Sequence, residues 1–141
     1  MNNERSKSKF AITLTVFVIG LAIFIGVIIW GTTSYLNQQY ADTHQGCMPG
    51  QTNHAVTIQN NVVTPSNTVG SRCETLTITN LDDMQRLIAF GPHEDHVAYD
   101  GIKEQAVTKG ESLRVTLVQT GTFRFHDHDD DEVQGTFTVK P

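Results

Sequence analysis

An all-β Greek-key sandwich carried behind one N-terminal transmembrane helix is the fold class this sequence predicts. Two observations carry the prediction. Residues 10–30 form an apolar run without a charge, and the chain beyond them alternates apolar and polar residues with period two between Gly, Asn and Pro turns.

The run FAITLTVFVIGLAIFIGVIIW has Thr13 and Thr15 as its only polar side chains, and their hydroxyls can bond back to helix carbonyls. At about 1.5 Å per residue it spans roughly 30 Å, the thickness of a bilayer's hydrocarbon core. Its Val, Ile and Phe would favour strand in water, but lipid selects helix because every backbone polar group must find its partner within the segment. Trp30, Tyr35 and Tyr40 follow at headgroup depth. A cleaved secretory signal is the competing reading. Signal cores, however, run to about 7–15 residues and end in a small-residue cleavage site, which GTTSYLNQQY does not supply. A lipoprotein signal at Cys47 fails on the Thr43, His44, Gln45 and Gly46 that precede it. Arg5, Lys7 and Lys9 lie before the helix and no Lys or Arg follows until Arg72. Residues 1–9 are therefore expected in the cytoplasm, residues 10–30 in the cell membrane as a single pass, and the rest outside.

Residues 31–53 lack periodicity and read as a polar tether; residues 54–141 read as one domain with a single core. From Leu36 onward acidic residues outnumber Lys plus Arg about two to one. That balance argues against nucleic acid and against tight docking on anionic lipid. Cys47 and Cys73 both fall in the external part, where two thiols pair more often than they stay free, so a disulfide is expected. The alternative is Cys47 with Met48 as soft sulfur ligands for copper.

Strands are expected at Val56/Ile58, Leu76/Ile78, Leu113/Val115/Leu117, Phe123/Phe125 and Phe137/Val139, each pair flanking a polar residue. Turns are expected at Asn60-Asn61, Pro65-Ser66-Asn67, Val69-Gly70-Ser71, residues 80–83, Lys109-Gly110 and Thr120-Gly121. Two antiparallel sheets packed face to face accommodate them. Residues 91–107 alternate little and read as one long loop, a length that points to function or disorder.

The chemistry-bearing residues gather in two places. Pro92-His93-Glu94-Asp95-His96 lies in the long loop, and His126-Asp127-His128-Asp129-Asp130-Asp131-Glu132 follows the Phe123/Phe125 strand. In extended chain, residues two apart share a face, so His126 and His128 project together while Asp127 turns away. Imidazole suits Zn, Cu, Ni and Fe, and two such pairs would supply three or four nitrogens. Glu94, Asp95, Asp127 and Asp129 are candidates to orient the rings or complete the coordination. The bland reading is a solvated acidic loop tip or weak Ca²⁺ binding, although no EF-hand glycine is present. His44 and His54 read as incidental. No G-x-S-x-G elbow, phosphate-cradling loop or free nucleophilic cysteine is evident, so an enzyme is the less favoured class.

Residues 56–139 resemble the cupredoxin family. The similarity rests on residues 58–80 with the Asn80-x-Asp82 turn, on Gly121-Thr122-Phe123-Arg124-Phe125-His126, and on Gly135-Thr136-Phe137-Thr138-Val139. Pro92-His93-x-x-His96-x-x-Tyr99 with Gly110-Glu111-Ser112 is similar to a group of bacterial cupredoxin-like proteins. The resemblance implies a Greek-key sandwich with copper at one end, where the loop after the Asn80-x-Asp82 strand meets the loop before the last strand. It also shows departures. Arg86 stands where the family's first His ligand is expected, Asp127 where its Cys belongs and Asp130 where its second His belongs. No residue resembling the axial Met follows.

Without that thiolate, a blue site is not expected. The expectation is a non-blue metal site formed by His93, His96, His126 and His128, with a copper ion as first choice and zinc as second, in copper handling or electron transfer with a protein partner the sequence does not identify. A metal-free interaction module presenting residues 91–107 and a small copper oxidase-like enzyme are the rival classes.

Overall fold

The structure, a computed structural model, describes residues 2–47 and 51–141, with side chains from residue 15 onward. Met48 and the side chains of Thr13, Arg5, Lys7 and Lys9 lie outside the described residues. The chain divides after Asp42 into two compact units.

The first unit is one helix, α1 (Asn2–Thr43). It is long and apolar enough to cross a membrane. It runs past residue 30, so the first part of the expected tether is helical. No Pro interrupts residues 31–43, and a nucleated helix propagates cheaply through such sequence. The Thr32 hydroxyl donates to the carbonyls of Ile28 and Ile29, and that of Thr33 to Ile29 and Trp30, so their polarity does not compete with the helix.

The second unit holds nine strands: β1 (Asn53–Gln59), β2 (Val62–Thr64), β3 (Asn67–Ser71), β4 (Thr75–Asn80), β5 (Arg86–Phe90), β6 (Glu104–Val107), β7 (Ser112–Thr116), β8 (Gly121–Asp127) and β9 (Asp130–Lys140). One sheet runs β2-β1-β4-β7 and the other β3-β9-β8-β5-β6. The expected strands are all present, but the sheets are mixed rather than purely antiparallel. β1 pairs parallel with β4, and β3 with β9. The cause lies at Thr64-Pro65, where the chain leaves the β1–β2 hairpin and joins the edge of the other sheet as β3 before returning beside β1. Val69-Gly70-Ser71 therefore belongs to a strand and not to a turn.

Alternate residues of both sheets meet in one core. Val56, Ile58, Leu76, Ile78, Leu113 and Val115 come from the first, and Ile88, Phe90, Phe125, Phe137 and Val139 from the second. Residues 91–107 are not loop throughout. β6 closes the segment as an edge strand, and because only its Val107 is buried it carries no alternation. Within the loop Tyr99 is 2% exposed and packs its ring on Phe90, Phe123 and Phe137, which fixes the segment to the core. The Cys47–Cys73 disulfide, Cα to Cα 4.9 Å, ties the chain ahead of β1 to the residues ahead of β4.

Candidate metal centre

β8 positions one half of the site. Phe125 faces the core, so alternation sends His126 to the opposite face of the sheet, beside Ala89 of β5, and returns Asp127 to the inner face. The segment after it is a tight hairpin. β8 ends at Asp127, β9 begins at Asp130, and His128 and Asp129 form the turn. Asp131, Glu132 and Val133 bulge from β9, because His126 pairs with Gln134 while Asp127 pairs with Asp130.

The loop after β5 delivers the other half. The ring centroid of His93 lies 5.5 Å from that of His126 and 5.0 Å from that of His128; for His96 the separations are 5.1 and 4.8 Å. Candidate ligand atoms of His93, His96 and His128 all fall within 4.8 Å of one another, as do those of His93, His126 and Asp131. The four histidines singled out in the sequence thus share one cluster, on the outer face of the five-stranded sheet.

Its polar atoms have an unusual balance. His128 Nδ1 is 3.2 Å from His96 Nε2. Two nitrogens bound tetrahedrally at about 2.0 Å to one ion stand about 3.3 Å apart, so this spacing suits a shared ion as well as a hydrogen bond between neutral rings. His96 Nδ1 is 3.2 Å from Glu104 Oε2, an arrangement that fixes the ring and leaves Nε2 directed at the cluster. His126 is fully buried, and neither of its nitrogens has a hydrogen-bond partner among the described residues. Burial, and then the charge of Arg124, hold its pKa below the usual imidazole value, so the ring is a neutral, ready donor. Asp131 Oδ1 stands 3.9 Å from His126 Nε2 and 4.0 Å from His93 Nδ1, and it accepts from Arg124 Nη2 at 2.5 Å, which holds its carboxyl below the ordinary range.

Besides the acids that the sequence offered as helpers, Glu94, Asp95, Asp127 and Asp129, two others, Glu104 and Asp131, stand against the rings. Glu104 was hidden because the edge strand that carries it shows no pattern. Asp131 was one of a run of acids, and only the bulge selects it. Of the two incidental histidines, His54 Nε2 pairs with Glu74 at 2.7 Å and His44 Nε2 with Asp100 at 2.8 Å.

On the inner face of the same strands the chemistry is different. Arg86 is fully buried, and its Nη1 donates to Asp127 Oδ2 at 2.9 Å. Its Nη2 donates to Asp82 Oδ2 at 2.6 Å and to Asn61 Oδ1. Burial opposes the charge, but the bonds to Asp127 and Asp82 outweigh it and raise the guanidinium's pKa. Asp130 accepts from Glu132 N at 3.3 Å. No cysteine is free among the described residues.

These strands and layers are shared with solved proteins. A purple cupredoxin from Nitrosopumilus maritimus superposes with a TM-score of 0.54 at 16% identity, covering 61% of this chain and 98% of that one. Amicyanin from Paracoccus versutus gives 0.52 at 15% identity, over 67% and 86% of the two chains. The second unit has the cupredoxin fold. A reduced amicyanin variant is similar at 18% identity, with a TM-score of 0.54 over 67% of this chain and 87% of its own. No protein-family model matches the chain, and no curated protein is similar to it in sequence.

This cupredoxin-like domain does not fit a blue copper ion. The positions that resemblance assigns to the first His and the Cys hold Arg86 and Asp127, bonded to each other, and both cysteines are consumed in the disulfide. The outer cluster does fit an imidazole-preferring ion. Its donor set is four rings with the Asp131 carboxylate in reach, and one of the rings is buried with no hydrogen-bond partner for its nitrogens among the described residues.

Proposed function

We propose that this protein is a membrane-tethered, extracytoplasmic metal-binding protein of the cupredoxin fold. In this reading His93, His96, His126 and His128 hold one non-blue copper ion for copper handling or electron transfer. The observation that carries the reading is His126: a buried ring with no hydrogen-bond partner for either nitrogen among the described residues, with the imidazoles of His93 and His96 beside it. Such a group costs about 1–3 kcal/mol unless something bonds to it. Cu²⁺ heads the affinity order for nitrogen donors and Zn²⁺ follows it, which sets the order of preference. An amicyanin has been solved in a reduced Cu(I) form, so the fold accommodates this metal elsewhere. When bound, copper would supply a one-electron couple. The protein's own contribution is to hold His96 through Glu104, keep His126 dry and neutral, and place the Asp131 carboxylate beside His93 and His126.

In this reading α1 is the tether, and the charge asymmetry around residues 10–30 supports an orientation with the domain outside the cytoplasm. That topology predicts an active alkaline phosphatase fused after Pro141.

Equilibrium dialysis of the full chain in detergent with metal analysis tests the reading. One Cu²⁺ per chain is expected, with a rise in melting temperature and no intense thiolate-to-copper band, since the sulfurs are paired. Absence of stoichiometric Cu²⁺ or Zn²⁺ at micromolar concentration, with unchanged melting, sinks it. One observation favours the oxidase-like reading second. A cavity of about 330 Å³, walled by Phe90, Tyr99 and Phe123, opens beside Pro92 and Arg124 and has room for a small organic substrate. Copper-dependent O₂ consumption with a reductant, lost on replacing His126 and His128, would establish that activity.

A further inference from the structure

We propose that the buried Arg86–Asp127 pair is the positioning element of the histidine cluster: a lock on the inner face of the sheet that sets the geometry of the rings on the outer face. The inference rests on the metal-binding reading above.

Asp127 is the residue between His126 and His128, so whatever fixes its carboxylate fixes both rings. Four bonds do so. Asp127 Oδ2 accepts from Arg86 Nη1 at 2.9 Å, and Oδ1 accepts from the backbone N–H of Leu87 at 3.0 Å and of Asp129 at 3.3 Å. The turn is pinned from the other side as His128 N donates to Leu87 O at 2.7 Å. β5 thus grips the hairpin at Arg86 and Leu87, while three residues farther along it ends and releases the loop that carries His93 and His96. The grip is itself held. Arg86 also bonds Asp82 and Asn61, and Asp82 accepts from Asn60 N at 2.5 Å and Asn61 N at 3.3 Å. One guanidinium therefore joins the β1–β2 turn, the β4–β5 turn and the β8–β9 hairpin. Buried ion pairs are weak sources of net stability, because desolvation offsets attraction. They are directional, however, and a hairpin with a three-residue bulge needs direction more than burial.

The test uses the full chain in detergent with Cu²⁺ as probe, comparing wild type with Asp127→Asn, Arg86→Lys and the apolar pair Arg86→Met/Asp127→Leu. The apolar pair is expected to fold with a lowered melting temperature, because it also leaves Asp82 without its guanidinium partner, so binding is compared well below its melting point. Each variant is expected to bind Cu²⁺ about 10–100-fold more weakly, the usual effect of losing a group that orients metal ligands. Each should also show altered or heterogeneous nitrogen hyperfine couplings by electron paramagnetic resonance, a signature that lost stability alone does not produce. Val115→Ala, in the core of the other sheet, is the control: it should lower melting without moving the spectrum. Variants that fold, bind as tightly as wild type and keep its spectrum overturn the lock alone. Wild type that binds no Cu²⁺ overturns the metal reading and the lock with it.

Discussion

Gly135→Ala replaces a hydrogen by a methyl at the tightest of the glycine positions described. Gly135 is directly opposite Phe125 across β8 and β9. A Cβ there would stand 2.5 Å from Phe125 Cζ, 2.7 Å from its Cε1 and 3.1 Å from Val63 Cγ1. Phe125 is 1% exposed, so its ring has nowhere to go without moving the core. Two effects compete. Gly135 is not among the residues with positive φ, so alanine is allowed there and stiffening the unfolded chain favours it by about 0.4–1 kcal/mol. Overpacking costs about 1–3 kcal/mol. The net expectation is a loss of about 1–2 kcal/mol, or roughly 4–16 °C in melting temperature at about 4–8 °C per kcal/mol for a domain of this size. Calorimetry of the full chain in detergent measures it. Phe125→Leu should relieve the clash, so the double variant should be more stable than the sum of the singles by at least about 0.5 kcal/mol. Unchanged or raised melting in Gly135→Ala, or simple additivity with Phe125→Leu, would refute the packing argument.

Further expectations concern the disulfide and pH. Replacing Cys47 and Cys73 by Ser opens a bridge spanning a sequence separation of 26, and the chain-entropy relation gives a loss of about 3–4 kcal/mol, readable as a fall in melting temperature. A loss below about 1 kcal/mol would mean that the segment before β1 is held by other contacts. At Asp82 burial pushes the carboxyl up, but the bond from Arg86 and the N–H groups of Asn60 and Asn61 outweigh it and leave the pKa below 3.8. At Glu74 the bonds from His54 and Ser71 hold it below 4.5. Both groups bind more protons unfolded than folded as pH drops, so their stabilisation is complete above about pH 5 and is lost as pH falls through the folded values. Melting followed across that range should show a steep acid limb that Asp82→Asn flattens; an identical slope in the variant would count against the assignment.

The strands legible in the sequence were those whose core residues alternate with polar ones. Val56/Ile58, Leu76/Ile78 and Phe137/Val139 announce themselves because every second residue must be apolar. β5 escaped notice since Arg86, Ile88, Ala89 and Phe90 are all buried, leaving no alternation, and because a buried arginine looks like a surface residue in a string of letters. β2 and β6 are short or at an edge, where solvent relaxes the pattern.

The sequence by itself determined the apolar helix, the sandwich, the two cysteines with reason to pair, and the four histidines. Each follows from local chemistry: an uncharged apolar run, period two in a half-buried sheet, two thiols with no third, imidazoles near one another in the chain. Only the tertiary structure decided that two histidine pairs separated by some thirty residues meet on one face, that Glu104 and Asp131 are the carboxylates beside them, and that Arg86 and Asp127 form a buried pair behind them. The reason is that strand order and register are collective. Which residue of β5 lies beside which residue of β8 depends on the packing of the whole core, and a shift by one position would exchange the face of His126 with that of Asp127.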